Sequence, residues 1–342
     1  MPWLIVTAWP QTVAGFFRPV SRVLSRGLAY VFAWVPFSVY EWLICAAVTV
    51  ILALGIRQIV RIVKTKQARR LLLNALTACS LTAAGLACAF TWLWGLNYAA
   101  PPLKDELNLP VKPRDAAFLT LVAQDLADKA SEWAPLVPRS ENSVTQYLGV
   151  KTLGARAVAA YDTLAQNDRR YAGASPPVKR LTFDFLFSKL GIYGIYFPFT
   201  GEANVNPDSP AATLPFTVAH ETAHRLGFAR EEEANFVAFL ACRASDDPLL
   251  QYSGYLEAMF YCLNRLEGDN RNAVTDKLND LVRADWHAIY LHYQKNDGVL
   301  REVSAQANNS YLQIMGQQEG EKSYGLVVDL ILAEYAVMWG VD

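Results

Sequence analysis

Two long apolar stretches stand out in the first third of the chain. The first runs from Ser38 to Val60, and its charged residues Glu41 and Arg57 lie near its ends. The second runs from Leu71 to Pro102 and contains no charged residue. A helix of about 20 apolar residues crosses the roughly 30 Å hydrocarbon core of a bilayer. Both stretches are therefore predicted to be transmembrane helices, with a buried core helix as the alternative for the second.

Charged and aromatic residues around these stretches predict their orientation. The segment that joins them is rich in cations, namely Arg57, Arg61, Lys64, Lys66, Arg69 and Arg70. Because Lys and Arg accumulate in cytoplasmic loops, this hinge is predicted to lie inside and the chain after about residue 100 outside. Trp92, Trp94 and Tyr98 cluster at the far end of the second stretch, which is typical of an aromatic belt at the membrane surface.

The segment before the first stretch has a different pattern. Arg18, Arg22 and Arg26 recur every four residues. The apolar residues set against them are Phe16, Val20, Val23 and Leu24. This spacing is typical of a helix that lies in the membrane surface. A third, partial span is the alternative.

From residue 103 onward the density of charge is that of a soluble domain, and most of the pattern is helical. Apolar residues recur at helical spacing from Asp115 to Trp133 and from Glu141 to Ala165. The stretch RRYAGASPPVKR is predicted to be a loop. Near the end, Ser323 to Gly340 is apolar but carries Asp329 and Glu334, which favours an amphipathic helix packed on the domain over another span.

One part of this domain changes to the pattern of a strand. Gly191 to Thr200 reads GIYGIYFPFT, which is rich in aromatic and β-branched residues. Pro198 lacks a backbone donor, so the strand is predicted at a sheet edge or a bulge. The turn-forming stretch that follows it is predicted to complete a hairpin, and the chain after Thr213 to be largely helical. The expected fold is mainly α with a small β-sheet.

Composition adds limited information. Hydrophobic residues make up 53% of the 342-residue chain and charged residues 18%, which is unlike an ordinary soluble enzyme. The formal net charge of -1 gives no indication of a nucleic-acid partner. Five cysteines are present without a CxxC pair. For Cys242 and Cys262, buried free thiols are favoured over a disulfide.

A short motif carries the chemistry. His220-Glu221-Thr222-Ala223-His224 falls in a predicted helix from about Pro215 to Leu226, which Thr213 can cap and Gly227 can end. Histidines four residues apart share a helix face, so both imidazoles can bind one Zn²⁺. Glu221 then lies beside the metal, where it can accept a proton from metal-bound water. The alternative is an amphipathic helix with two surface histidines and a solvated glutamate.

A catalytic zinc site needs a third protein ligand. Glu231 is the first candidate, because Asn235 lies one turn later on the same face and can steady a ligand. Glu233 is the next candidate. Glu232 is interpreted as an acidic residue favoured by the helix dipole, which is also the alternative for the whole cluster.

The motif with its flanking residues resembles two groups of proteins. HExxH followed by Glu231-x-x-Ala-Asn is similar to the signature of gluzincins, the glutamate-ligand zinc peptidases, as in membrane-embedded CAAX-type proteases and the regulatory peptidases that cleave repressors. The segments YFPFTGEANVN, LPFTVAHETAH, REEEANF and SYG resemble a family of bacterial membrane proteins of unknown function. The resemblance implies zinc on His220, His224 and Glu231, with Glu221 as catalytic base. The third glutamate follows sooner than in CAAX-type enzymes, which leaves Glu231 and Glu233 open.

These features predict a multi-pass protein of the bacterial cell membrane whose outer, zincin-like domain is a zinc metallopeptidase. The segments are an interfacial part (1–36), two spans with a cytoplasmic hinge (37–97) and an extracytoplasmic domain (98–342). Its expected partners are the bilayer and a peptide or protein near it, which could pair with the predicted edge strand. The candidate oxyanion donors are Tyr252, Tyr255, Tyr324, His287 and His292. The alternatives are a zinc-binding sensor or scaffold without turnover and a zinc hydrolase of a cell-wall amide.

Overall fold

The computed structural model describes residues 10–317 and 326–341, and this part is mainly α with a small sheet. The helices are Arg18–Phe32 (α1), Val39–Thr65 (α2), Ala68–Leu93 (α3), Leu103–Glu106 (α4), Ala116–Trp133 (α5), Val150–Asn167 (α6), Asp184–Lys189 (α7), Leu214–Arg225 (α8), Glu231–Arg243 (α9), Pro248–Leu263 (α10), Gly268–Thr275 (α11), Asp280–Asn296 (α12), Val299–Ile314 (α13) and Val327–Trp339 (α14). The strands are Lys179–Arg180 (β1), Gly194–Phe197 (β2) and Glu202–Val205 (β3). The mainly α architecture is thus confirmed.

Helices α2 and α3 are long and apolar enough to cross a membrane. Their side chains point away from the rest of the molecule: α3 buries none of its residues, and α2 buries only Tyr40 and Glu41 in its first turn. The predicted aromatic belt is wrong in part. Trp94 and Tyr98 are buried, because the chain leaves α3 at Leu93 and a 3-10 turn packs it against the domain, while Trp92 is exposed.

Helix α1 forms where the arginine repeat predicts a helix, but two of the arginines face the domain. Arg18 forms an ion pair with Glu106 at 2.8 Å, and Arg22 donates to the carbonyl oxygen of Leu226. The guanidinium groups of both arginines also lie over the ring of Phe228. The opposite side of the helix exposes its apolar residues, namely Val20, Val23, Leu24 and Val31, and Phe16 just before the helix is exposed as well. The apolar face therefore points outward and the cationic face inward.

The sheet has the order β1-β3-β2, so β2 is an edge strand as Pro198 predicts. β2 pairs antiparallel with β3 in a register from Gly194↔Val205 to Phe197↔Glu202. β1 pairs parallel with β3. The loop prediction for the segment that contains β1 is wrong at Lys179 and Arg180, because their hydrogen-bonding partner follows more than 20 residues later in the chain.

A buried carboxylate joins the sheet to the first apolar helix. Glu202 accepts the backbone N–H groups of Val39 and Tyr40 at the start of α2, at 3.3 and 3.1 Å. It also pairs with Lys179 Nζ at 2.6 Å. In return, Glu41 of α2 accepts the backbone N–H groups of Thr182 and Phe183. The beginning of α2 is therefore anchored to the domain through charged hydrogen bonds.

Helices α5, α6, α8, α9, α10 and α14 enclose the main hydrophobic core. The helix predicted from Glu141 begins only at Val150, because Thr145 in the preceding loop bonds to Asp285 through its backbone N–H and its hydroxyl. Cys242 and Cys262 are buried and free, as predicted. The predicted C-terminal helix packs on the core from Val327 onward, and residues 323–325 lie outside the described part.

Candidate metal centre

The HExxH motif occupies α8, whose ends are set by local chemistry. Pro215 lies in the first turn, and Gly227 follows the last turn with a φ of 87°, a conformation that favours glycine. Thr213 precedes the helix, but its hydroxyl bonds to the carbonyl oxygen of Pro210 and does not cap the helix. The rings of His220 and His224 lie on one face with centroids 4.5 Å apart.

Glu231, at the start of α9, lies against both histidines. Its Oε2 is 3.3 Å from His220 Nε2 and 3.5 Å from His224 Nε2. Glu233 points elsewhere, since it accepts the backbone N–H of Leu103 at 2.8 Å and pairs with Arg230 at 2.7 Å. Of the two glutamates that the sequence leaves open, the structure places Glu231 beside the histidines.

The distances from Glu231 to the two histidines fit a tetrahedral metal ion, and the three candidate ligand atoms all lie within 4.8 Å of one another. Ligands at about 2.0–2.2 Å from zinc stand about 3.3–3.6 Å apart in a tetrahedron. The Nδ1 of His224 lies 2.8 Å from the carbonyl oxygen of Phe228. That contact requires a proton on Nδ1, so Nε2 is the nitrogen that faces Glu231 and that can bind a metal. Asn235 lies beside the ring of His220, as expected for a residue that steadies a ligand.

The charges of the centre are strongly coupled. Burial lowers the pKa of His220, which favours the neutral imidazole that binds metal. Burial also lowers the pKa of His224, but the charge and hydrogen bond of Glu231, the charge of Glu221 and the carbonyl oxygen of Phe228 together outweigh it and raise the pKa to about 9. Burial would raise the pKa of Glu231, but its interactions with both histidines lower it well below the usual range.

Glu221 is confined between α8 and the edge strand. Its side chain is buried, and burial raises its pKa to about 8. Its Oε2 has no hydrogen-bond partner in the described part of the chain. A Cβ at Gly194 would overlap Oε1 of Glu221 and lie 2.6 Å from its Cγ. The strand therefore passes so close to the carboxylate that only glycine fits there.

A cavity of about 750 Å³ opens over the centre. The side chains of His220, Glu221, His224 and Glu231 line it. Residues of β2, of the end of α3 and of one face of α13 also line it. Tyr311 of α13 is the tyrosine that sequence reasoning missed. Its hydroxyl accepts from Trp94 Nε1 at 3.3 Å and lies 3.2 Å from the hydroxyl of Tyr98. Burial chiefly, and the charge of Glu231 as well, raise the pKa of Tyr311.

The oxyanion donors expected from the sequence lie elsewhere. Tyr252 donates to Asp285 at 2.6 Å, and Tyr255 packs on Phe239. His287 is exposed, and His292 contacts Tyr193 and Asn296. None of these four lines the cavity. Tyr324 is outside the described residues. No local pattern distinguishes Tyr311, which is brought to the site by tertiary packing alone.

Comparison with known proteins identifies a family. The model of a protein family described as "Protein of unknown function (DUF3810)" matches residues 15–332. The chain belongs to this family. In this DUF3810 protein the match covers α1, both apolar helices and the whole candidate metal centre. No curated protein and no solved structure matches the chain.

Proposed function

We propose that this DUF3810 protein is a zinc-dependent peptidase anchored in the membrane. The observation that carries the proposal is the position of Glu231 Oε2, 3.3 and 3.5 Å from the two imidazole Nε2 atoms of an HExxH helix. His220, His224 and Glu231 would hold a zinc ion, which would supply a Lewis acid at the substrate carbonyl. Glu221 is left free for proton transfer.

Glu221 acts as the general base. It is buried, and in the described residues its Oε2 is without a partner. Burial raises its pKa, and the positive charge of an ion on the neighbouring ligands would lower it again, so that the ionised carboxylate could accept a proton from the attacking water. It then passes the proton to the leaving amine. A solely structural site has no use for such a carboxylate, because burial of an unpaired acidic group is costly. This supports turnover over a scaffold role.

Tyr311 is the donor to the developing oxyanion. Its oxygen already accepts the indole N–H of Trp94, so its own hydrogen can turn toward the cavity. The raised pKa keeps the phenol protonated over the working range. This assignment replaces the donors expected from the sequence.

The edge strand β2 aligns the substrate. The backbone N–H of Asn206 donates to the carbonyl oxygen of Tyr193, which sets the hydrogen-bonded positions of the β2–β3 pair. By the alternation of an antiparallel ladder, the polar backbone groups of Gly194 and Tyr196 then point to the open edge. A peptide can add there as a further strand, directly beside Glu221.

The membrane arrangement is part of the same proposal. Helices α2 and α3 cross the bilayer with the basic hinge inside, and the domain lies outside. The exposed apolar face of α1 supports this, since it can rest in the membrane surface while its arginines bind the domain. The cavity includes Phe90 and Trp94 at the end of α3, so substrates near the membrane can reach it.

The test compares the wild type with Glu221→Gln and with Glu302→Gln, a control at an exposed residue of α13. We expect equimolar zinc in all three proteins. Cleavage of a broad peptide library should fall by at least about 100-fold in Glu221→Gln only, because the general base is lost. Zinc without cleavage in the wild type would favour the sensor or scaffold, and cleavage of cell-wall amides alone would favour the other hydrolase.

A further inference from the structure

Among the described residues, two charged side chains outside the metal centre line the cavity, Glu257 of α10 and Arg301 of α13. Arg301 is engaged, since it lies 3.9 Å from Asp297 and over the ring of Tyr293. Glu257 is only partly exposed. It forms no ion pair or hydrogen bond with any residue that the structure describes. It is therefore the one unpaired charge among the described cavity residues apart from the centre itself.

Helix packing places Glu257 close to the zinc ligands. Ser253 and Tyr261, one turn before and after it on α10, both contact Phe216 of α8. Phe216 precedes His220 by four residues, or about 6 Å along the helix axis. Glu257 thus faces the cavity about one helical turn from the metal ligands, on the side of the N-terminal end of α8.

An isolated carboxylate in such a position is costly unless something provides its partner. Burial alone raises the pKa of Glu257 to about 7, since no cation in the described part offsets it. Among the described residues, the negative charge of Glu257 raises the pKa of Tyr293 and of Cys242. Both side chains are neutral, so neither balances its charge. Within the described residues no cation pairs with this carboxylate, which leaves it open to a cation that enters with a ligand of the cavity.

We propose that Glu257 forms an acidic subsite that binds a positively charged group of the substrate within about two residues of the cleaved bond. An extended peptide advances about 3.3 Å per residue, so two residues span the distance of one helical turn. The cation is a lysine or arginine side chain, or the free α-amino group of a short peptide. This subsite rests on the proposed function, and it gives the substrate class as basic peptides.

Binding is measured first, in zinc-loaded Glu221→Gln, so that no turnover is needed. The probes are a blocked hexapeptide with one lysine, the same peptide with norleucine, and the norleucine peptide with a free N-terminus. Adding Glu257→Gln should weaken binding of the lysine peptide by about 10- to 100-fold and leave the blocked norleucine peptide unchanged. Glu257→Lys should favour a glutamate peptide. Glu267→Gln, at an exposed residue, is the matched control.

The outcomes separate the two proposals. Equal affinities of the Glu221→Gln protein for all three probes, the lysine peptide, the blocked norleucine peptide and the norleucine peptide with a free N-terminus, overturn the subsite without any variant of Glu257. An effect seen only with the free N-terminus assigns the cation to the α-amine, and one seen with lysine assigns it to a side chain. Charge-selective binding without cleavage by the wild type retains the subsite and removes the peptidase. Melting temperature and zinc content show that each variant is folded.

Discussion

The helix pair α2–α3 and the helix pair α8–α9 differ in which side chains they expose and which they bury. Along α2 and α3 the apolar side chains are exposed, as at Leu52 and Leu81, which are 62% and 70% exposed. In α8 and α9 nearly every side chain is buried, including the acids Glu221 and Glu231. The first pair needs an apolar solvent, whereas the second needs partners for its buried charges. One chain thus contains both an exposed apolar surface and a buried cluster of charged groups.

The largest expected effect is on the free energy of unfolding when a large apolar side chain is replaced by alanine in each helix pair. Phe236→Ala in α9 removes a fully buried ring and should lower the free energy of unfolding by about 4 kcal/mol. Leu52→Ala in α2 should change it by less than about 0.5 kcal/mol, because detergent or lipid contacts this side chain before and after the domain unfolds. Denaturant unfolding in detergent measures both. Equal losses would show that α2 packs on protein.

A smaller effect is expected where the two regions join. Glu202→Gln leaves the cation of Lys179 buried without its carboxylate and should cost about 3 kcal/mol of domain stability. The same denaturant titration checks it. Adding Lys179→Met should restore part of the loss, since the stranded charge is then removed. An additive second loss would argue against the ion pair.

The smallest expected effect is a pH-dependent gain in stability. Glu257 has a folded-state pKa of about 7, above its ordinary 4.5, so the folded state binds more protons between these values. Stability is then lost as pH rises from about 4.5 to about 7 and levels off above. Glu257→Gln removes this loss, so the variant should match the wild type near pH 4.5 and exceed it by about 1 kcal/mol at pH 8.

Melting curves across that range test this prediction. Exposed Glu267→Gln should show a constant difference from the wild type at every pH. A gap between Glu257→Gln and the wild type that narrows with rising pH would contradict the unpaired carboxylate.

Local chemistry made much of the site predictable. Pro215 and Gly227 mark the ends of α8 to within two residues, and helical spacing puts the two histidines on one face. The restart of the helix after Gly227 brings Glu231 close by. Local sequence does not decide between Glu231 and Glu233 as the third ligand. Tertiary contacts do, because Glu233 accepts the backbone N–H of Leu103 and Glu231 lies beside the histidines.

Long-range packing was not predictable. Tyr311 and Glu257 reach the cavity from helices that contain no motif, and the parallel pairing of β1 depends on a distant strand. The arginines of α1 show the same limit. Helical period shows which residues share a face, but it does not show that Arg18 and Arg22 turn toward the domain.

The contact between Gly194 and Glu221 links recognition to chemistry. A peptide that hydrogen-bonds to β2 pulls on the same backbone that confines the proposed base. A shift of a few tenths of an ångström in the strand must move the carboxylate, because no side chain or empty space lies between them to absorb it. Binding of a peptide to β2 would thus also position the proposed proton acceptor.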